Sequence, residues 1–147
     1  MSDQIPLKIL RVPQLGGTPF AGFAVEVNAA LLEEGFADFS VSMVGWDTCA
    51  VVALSGREQT PTGIITYADS KWHGCFDIGM GYVLPDWRRR GIYRQMWDEL
   101  VLTAQEQKVS RIYGAIMVNN APMLKVAVAL GRRIESHNVV FDVGASY

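Results

Sequence analysis

The sequence predicts an α/β fold in which a central mixed sheet is flanked by helices. Three observations lead there: short β-prone runs alternate with segments whose apolar residues recur at helical spacing, two of those runs are close enough to form an antiparallel pair, and a long amphipathic helix falls between two strands. A β-α-β unit of that kind favours parallel pairing with a right-handed crossover.

Leu7 to Val12 alternates as a short opening strand. Thr18 followed by Pro19 reads as an N-cap and a proline at the first helical position, and Phe20, Phe23, Ala24, Val27 and Leu31 follow at helical spacing until Gly35. From Ser42 the period changes. Thr48 to Leu54 and Gly63 to Tyr67 are β-prone runs separated by Ser55-Gly56-Arg57-Glu58-Gln59, and they read as antiparallel neighbours. A third run, Cys75 to Leu84, reads as a central strand, and its Gly79 and Gly81 suit a bulge or a close backbone approach by a ligand.

The next segment is a clear helix: Ile92, Met96, Leu100 and Ala104 form one i, i+4 line and Tyr93, Trp97 and Val101 a second beside it. Arg111 to Val118 then reads as a strand. Asn120 is a good N-cap, Pro122 lies in the first turn, and Gly131 closes the helix Met123 to Leu130. Val139 to Val143 is expected to be one last strand.

At 147 residues, half of them hydrophobic, the chain fits one domain spanning 1–147 with a sizeable core. No repeat or linker divides it. Thirteen Lys plus Arg against 15 Asp plus Glu give a net charge of −2, which argues against general attraction to nucleic acid or anionic membrane, so an anion site must be local. No apolar run reaches the ~18 residues of a membrane helix, and Met1-Ser2-Asp3-Gln4 does not resemble a signal peptide, so a cytoplasmic protein is expected. Cys49 and Cys75 read as buried free thiols. His73 and Cys75 lack the second close pair that a zinc site needs.

Arg88-Arg89-Arg90-Gly91-Ile92-Tyr93 carries the chemistry. First-turn amides of a helix have no intrahelical acceptor, the helix dipole is positive there, and a glycine lets phosphate oxygens approach the backbone. Arg88, Arg89, Arg90 and Arg94 add donors and charge; on pattern alone, a merely solvated arginine turn reads equally well. The P-loop and dinucleotide-binding glycine patterns are both absent.

The longer order, Tyr82-Val83-Leu84-Pro85-Asp86-Trp87 running into that turn, then an amphipathic helix, a strand, and Asn120 opening a helix that ends at Leu130-Gly131-Arg132, resembles the GCN5-related N-acetyltransferase (GNAT) superfamily. The signature of that superfamily is Arg/Gln-x-x-Gly-x-Gly/Ala after a strand ending in Val-x-Pro. The resemblance covers roughly residues 48 to 135 and implies the acyl-CoA N-acyltransferase fold, with acetyl-CoA as the acyl donor. It implies that Val83 offers backbone groups to the pantetheine arm and the thioester carbonyl. Arg88, Arg90, Gly91, Ile92, Tyr93 and Arg94 would surround the pyrophosphate, with Asn120 beside the pantetheine.

Two positions depart from the pattern. Tyr93 stands where the motif has glycine or alanine, and Ala127 stands where many members carry the tyrosine that protonates the departing thiolate. Asp77 is a candidate general base by analogy with a glutamate in histone-acetylating relatives, and reads equally as a solvated strand residue; His73 and His137 are alternatives. Trp46 and Trp72 are candidate walls of an acceptor site, and Glu33, Glu34 and Asp38 fit either a cationic acceptor or a solvated helix end. The expected function is acetyl transfer to a primary amine of a small molecule or protein. A non-catalytic acyl-CoA-binding or scaffold protein is the alternative, and a homodimer could complete the sheet edge.

Overall fold

The computed structural model describes residues 6–36, 45–70, 74–137, 139, 141, 143 and 144. Within them the chain runs β1 (Leu7–Val12), α1 (Phe20–Glu33), β2 (Cys49–Ser55), β3 (Thr60–Ser70), β4 (Cys75–Val83), a 3-10 turn (Pro85–Trp87), α2 (Ile92–Glu106), β5 (Arg111–Gly114) and α3 (Ala121–Ala129). The five strands form one sheet in chain order. β1 to β4 are antiparallel neighbours, and β5 joins β4 in parallel across the α2 crossover. The mixed sheet predicted from the alternation of elements is therefore the one observed.

Period-two alternation sorts the core into two layers. Val51 and Ala53 of β2, Ile65 and Tyr67 of β3, and Phe76 and Val83 of β4 face α2, which answers with Ile92, Met96, Trp97, Leu100 and Ala104. Ala50, Val52, Leu54, Ile64, Met80 and Tyr82 face the other way, onto Ala24 and Val27 of α1. Each large apolar side chain so buried contributes about 1.5–3 kcal/mol. Arg11 of β1 ties the sheet's first strand to α2 through ion pairs with Glu99 and Glu106.

The irregularity expected in β4 is a bulge at Gly79. Thr66 of β3 stands opposite Met80 and Tyr67 opposite Ile78, so Gly79 has no partner residue, and the Met80 amide donates instead to Thr66 Oγ1 at 3.0 Å. The extra residue shifts the alternation by one. Ile78 and Gly81 thereby share the α2 side, while Met80 and Tyr82 turn to α1.

Two strand expectations need correction. Arg111 to Val118 is a strand only over Arg111–Gly114, because β4 leaves it at Ile78 and no other described strand continues the ladder. Val139 to Val143 is not a strand among its described residues: Val139, Phe141 and Val143 are 93%, 86% and 85% exposed and belong to no element. Among the described residues no strand pairs with it, and Glu135 just before it is drawn to Arg111 by an ion pair at 2.8 Å. No helix among the described residues is long and apolar enough to cross a membrane.

Candidate active site

The site begins with a fork between β4 and β5. β5 pairs β4 only from Cys75 to Ile78, so among the described residues no strand pairs the edge of β4 from Gly79 to Val83 on that side. The Leu84 amide donates to the Thr62 carbonyl, which fixes the phase of the β3–β4 ladder. In that phase Gly81 and Val83 are non-hydrogen-bonded positions toward β3, and their N–H and C=O groups point into the fork. An extended chain carrying amides could match such an edge as an added strand does. The Val83 carbonyl accepts a hydrogen bond from Arg88 Nε at 2.9 Å.

β4 runs directly into the arginine turn. Arg89 has φ 64° and Gly91, the N-cap of α2, has φ 76° and ψ 12°; the left-handed value at Gly91 suits a residue without Cβ. The amides of Ile92, Tyr93 and Arg94 follow at a helix start with no acidic residue in its first turn. Arg90 lies over the Trp87 ring at 4.8 Å, and Arg94 is at 4.0 Å from Asp98. Arg89, Arg90 and Arg94 are exposed, so the turn presents backbone donors and positive charge together.

Arg88 takes a different course. Besides its bond to Val83, its guanidinium sits 5.0 Å over the Tyr82 ring and 3.9 Å from Glu34 Oε1, so it straps the turn back onto the end of β4. Tyr93 also turns inward. Its half-buried ring lies over Gly81, where a Cβ would meet Tyr93 Cε2 at 2.9 Å. Burial pushes the Tyr93 phenol's pKa up, and Arg132, stacked 5.0 Å over Trp97, acts in the opposite direction.

On the α1 side, the Tyr82 hydroxyl donates to Glu34 Oε1 at 2.8 Å, and burial followed by that carboxylate raises the phenol's pKa. Asn119 Nδ2 donates to the Gly35 carbonyl at 3.0 Å, drawing the β5–α3 connection to the end of α1. Asn120 caps α3 as expected, accepting from the Met123 amide at 3.3 Å. The Tyr82–Glu34 bond joins residues far apart in sequence, and the only trace of it in the sequence was acidity at the end of the first helix.

The other candidates lie elsewhere. Asp77 is exposed and sits in the part of β4 still paired to β5, opposite Tyr113, four residue steps from Gly81 and six from Val83. Trp46 packs on Gly16 and lines a cavity of about 670 Å³ with Asp47, Tyr67, Asp69 and Gln107. Gln107 is the C-cap of α2, so this cavity lies at the other end of the helix from Gly91, roughly 24 Å away at ~1.5 Å per residue. His137 is exposed and outside any element; Trp72, His73 and Asp38 lie outside the described residues. Cys49 is half-buried and Cys75 buried, both as free thiols, and Ala127 is buried on α3.

The fold has counterparts among solved structures. The fold is similar to that of aminoglycoside N-acetyltransferase AAC(6')-Iy in complex with CoA, at 14% identity and a TM-score of 0.68 over 99% of both chains. It is similar to a putative acetyl transferase from Pyrococcus furiosus, at 13% identity and a TM-score of 0.73 over 94% of this chain and 100% of the other. A third is aminoglycoside acetyltransferase meta-AAC0020 from an uncultured soil metagenomic sample, in complex with trehalose, at 16% identity and 0.67 over 95% and 97%. No curated protein matches the chain by sequence. The family model described as acetyltransferase (GNAT) family matches residues 24–131, a span that holds the fork, the arginine turn and the Asn120 cap, and the chain belongs to that family.

Proposed function

We propose that the chain is an acetyl-CoA-dependent N-acetyltransferase whose acceptor is a primary amine on a small molecule. The observation that carries this reading is the continuity of the β4 edge at Gly81 and Val83 with the amides and arginines at the start of α2. An acyl-CoA joins an extended amide-bearing arm to a pyrophosphate, and these two surfaces match those two parts in the same order.

In this reading the amides of Gly91, Ile92, Tyr93 and Arg94 and the guanidiniums of Arg90 and Arg94 hold the pyrophosphate. Arg88 holds the turn against the strand through the Val83 carbonyl. Val83 and Gly81 hold the arm and align its acyl end by backbone hydrogen bonds, with Asn120 on the opposite wall. Tyr93, lying across Gly81, narrows the fork and keeps water from it. Bound acetyl-CoA supplies the acetyl group as a thioester.

Position 127 offers no proton donor. A positioned acid is worth ~10²- to 10⁴-fold. A thiol of pKa ~8.5 is nevertheless a tolerable leaving group near neutrality. Most of the acceleration then comes from holding the amine against the acyl carbon and from backbone donors fixed before reaction. Asp77, four residue steps down β4 from Gly81, is the candidate base that takes the amine's proton through water.

The small-molecule acceptor is supported by the likeness to enzymes named for aminoglycosides. Titration calorimetry with acetyl-CoA tests the reading: saturable binding that weakens when Arg90 and Arg94 are replaced by alanine supports it, and no binding removes it.

A further inference from the structure

At the mouth of the fork, on the face opposite α2, the fold builds a carboxylate site. Glu34 is the C-cap of α1, and no basic residue occupies the last turn of that helix, so its carbonyl end adds negative potential to the carboxylate. Glu33 precedes it. Tyr82, 7% exposed and adjacent to Val83 in β4, holds Glu34 Oε1 by its hydroxyl at 2.8 Å. The Gly35 carbonyl is bound by Asn119, so α1, β4 and the β5–α3 connection meet around this one group.

Among the described residues Glu34 is held through one oxygen. Both contacts fall on Oε1; Oε2 accepts no hydrogen bond among the described residues, and the side chain is 33% exposed. Arg88 stands at the outer limit of an ion pair, 3.9 Å, with its Nε committed to the Val83 carbonyl and its plane to the Tyr82 ring. A buried tyrosine spent on orienting a half-exposed carboxylate, one residue from the strand position that faces the fork, has the form of a recognition site for a cation.

We propose that Glu34, oriented by Tyr82, is the acceptor-recognition carboxylate, and that the acceptor is a small amine with at least two positive charges, one bound by Glu34 while another amino group is acetylated. This rests on the acetyltransferase reading and adds to it the charge class of the acceptor. The cofactor enters along the α2 side of β4 and the acceptor from the α1 side, so Glu34 binds acceptor without touching the cofactor. Tyr82 is a positioning residue.

The test compares wild type with Glu34→Gln, which keeps the Tyr82 hydrogen bond and removes the charge, and with Tyr82→Phe. A short aliphatic diamine and a monoamine of the same length are the acceptors, and thiol release is the readout. The tetramethylated form of the diamine, which cannot be acetylated, is titrated separately by calorimetry. For the diamine, Glu34→Gln should raise KM by about tenfold or more, as expected for loss of a charge-assisted bond. It should leave kcat within about threefold and acetyl-CoA affinity unchanged, and abolish binding of the tetramethylated probe. Tyr82→Phe should raise KM less, and the monoamine should respond little to either change. Equal diamine KM and equal probe binding in wild type and Glu34→Gln, with acetyl-CoA affinity intact in both, would overturn the proposal. Failure of wild type to bind acetyl-CoA would instead remove the underlying function, and probe binding would still decide whether Glu34 holds a cation.

Discussion

Tyr93 of α2 and Gly81 of β4 are in direct contact: a Cβ at position 81 would stand 2.9 Å from Tyr93 Cε2 and 3.0 Å from its hydroxyl. The enlarged residue of the phosphate motif and a glycine of the central strand therefore accommodate each other. Replacing Gly81 with alanine should destabilise the protein by about 1–3 kcal/mol, the usual cost of overpacking. Tyr93→Ala in the same chain should recover part of that loss. Urea unfolding of the two single variants and the double variant gives the coupling, and strict additivity would show that the contact is not made.

The arginines of the turn should separate into two classes. Arg90→Ala with Arg94→Ala should weaken acetyl-CoA binding by about tenfold or more while leaving the melting temperature nearly unchanged, since both side chains are exposed. Arg88→Ala should lower the melting temperature as well, because it removes the bond to the Val83 carbonyl and the stacking on Tyr82. Calorimetric titration beside thermal unfolding distinguishes these outcomes.

Asn120 has a structural role independent of any ligand. Its Oδ1 accepts from the Met123 amide, and Asn120→Ala should cost about 1 kcal/mol of stability, with aspartate retaining most of it. Chemical denaturation of the three proteins measures this.

Acid should loosen the bridge between β1 and α2. Hydrogen bonding to Arg11 holds the Glu106 carboxyl below its ordinary value of 4.5, and Arg111 does the same for Glu135. A carboxyl depressed in the folded state contributes its stabilisation above its unfolded pKa and loses it as pH falls through the folded one. Melting temperature should therefore fall as pH drops below about 4.5. In Arg11→Ala the part of that fall due to Glu106 should disappear; an identical pH dependence in both proteins would show that the Arg11 bridge contributes nothing.

Much of this architecture was legible because it is local. Apolar spacing in Ile92, Met96, Leu100 and Ala104 placed α2 and its buried face, Asn120 announced its own cap, and Gly79 marked the bulge. The end of β5 at Gly114 was not legible, because it depends on where β4 departs rather than on residues 115 to 118. Alternation in Val139, Phe141 and Val143 signalled a strand, but a strand also needs a neighbour, and none pairs with the described residues. In the site, the turn's residues were readable from their types. The directions of Arg88 and Tyr93 were not, since each is set by a partner on another element: the Val83 carbonyl for one, the bare surface of Gly81 for the other. Glu34 gave only a charge, and its bond to Tyr82 depends on how α1 packs on the sheet.

The most direct test of acetyl transfer is thiol release from acetyl-CoA by the wild-type chain across a panel of small primary amines, with product masses recorded. Amine-dependent release, matched by one acetyl group added to the amine, is the predicted result. Acetyl-CoA that binds saturably yet releases no thiol with any amine would contradict the account and leave an acyl-CoA-binding protein without turnover.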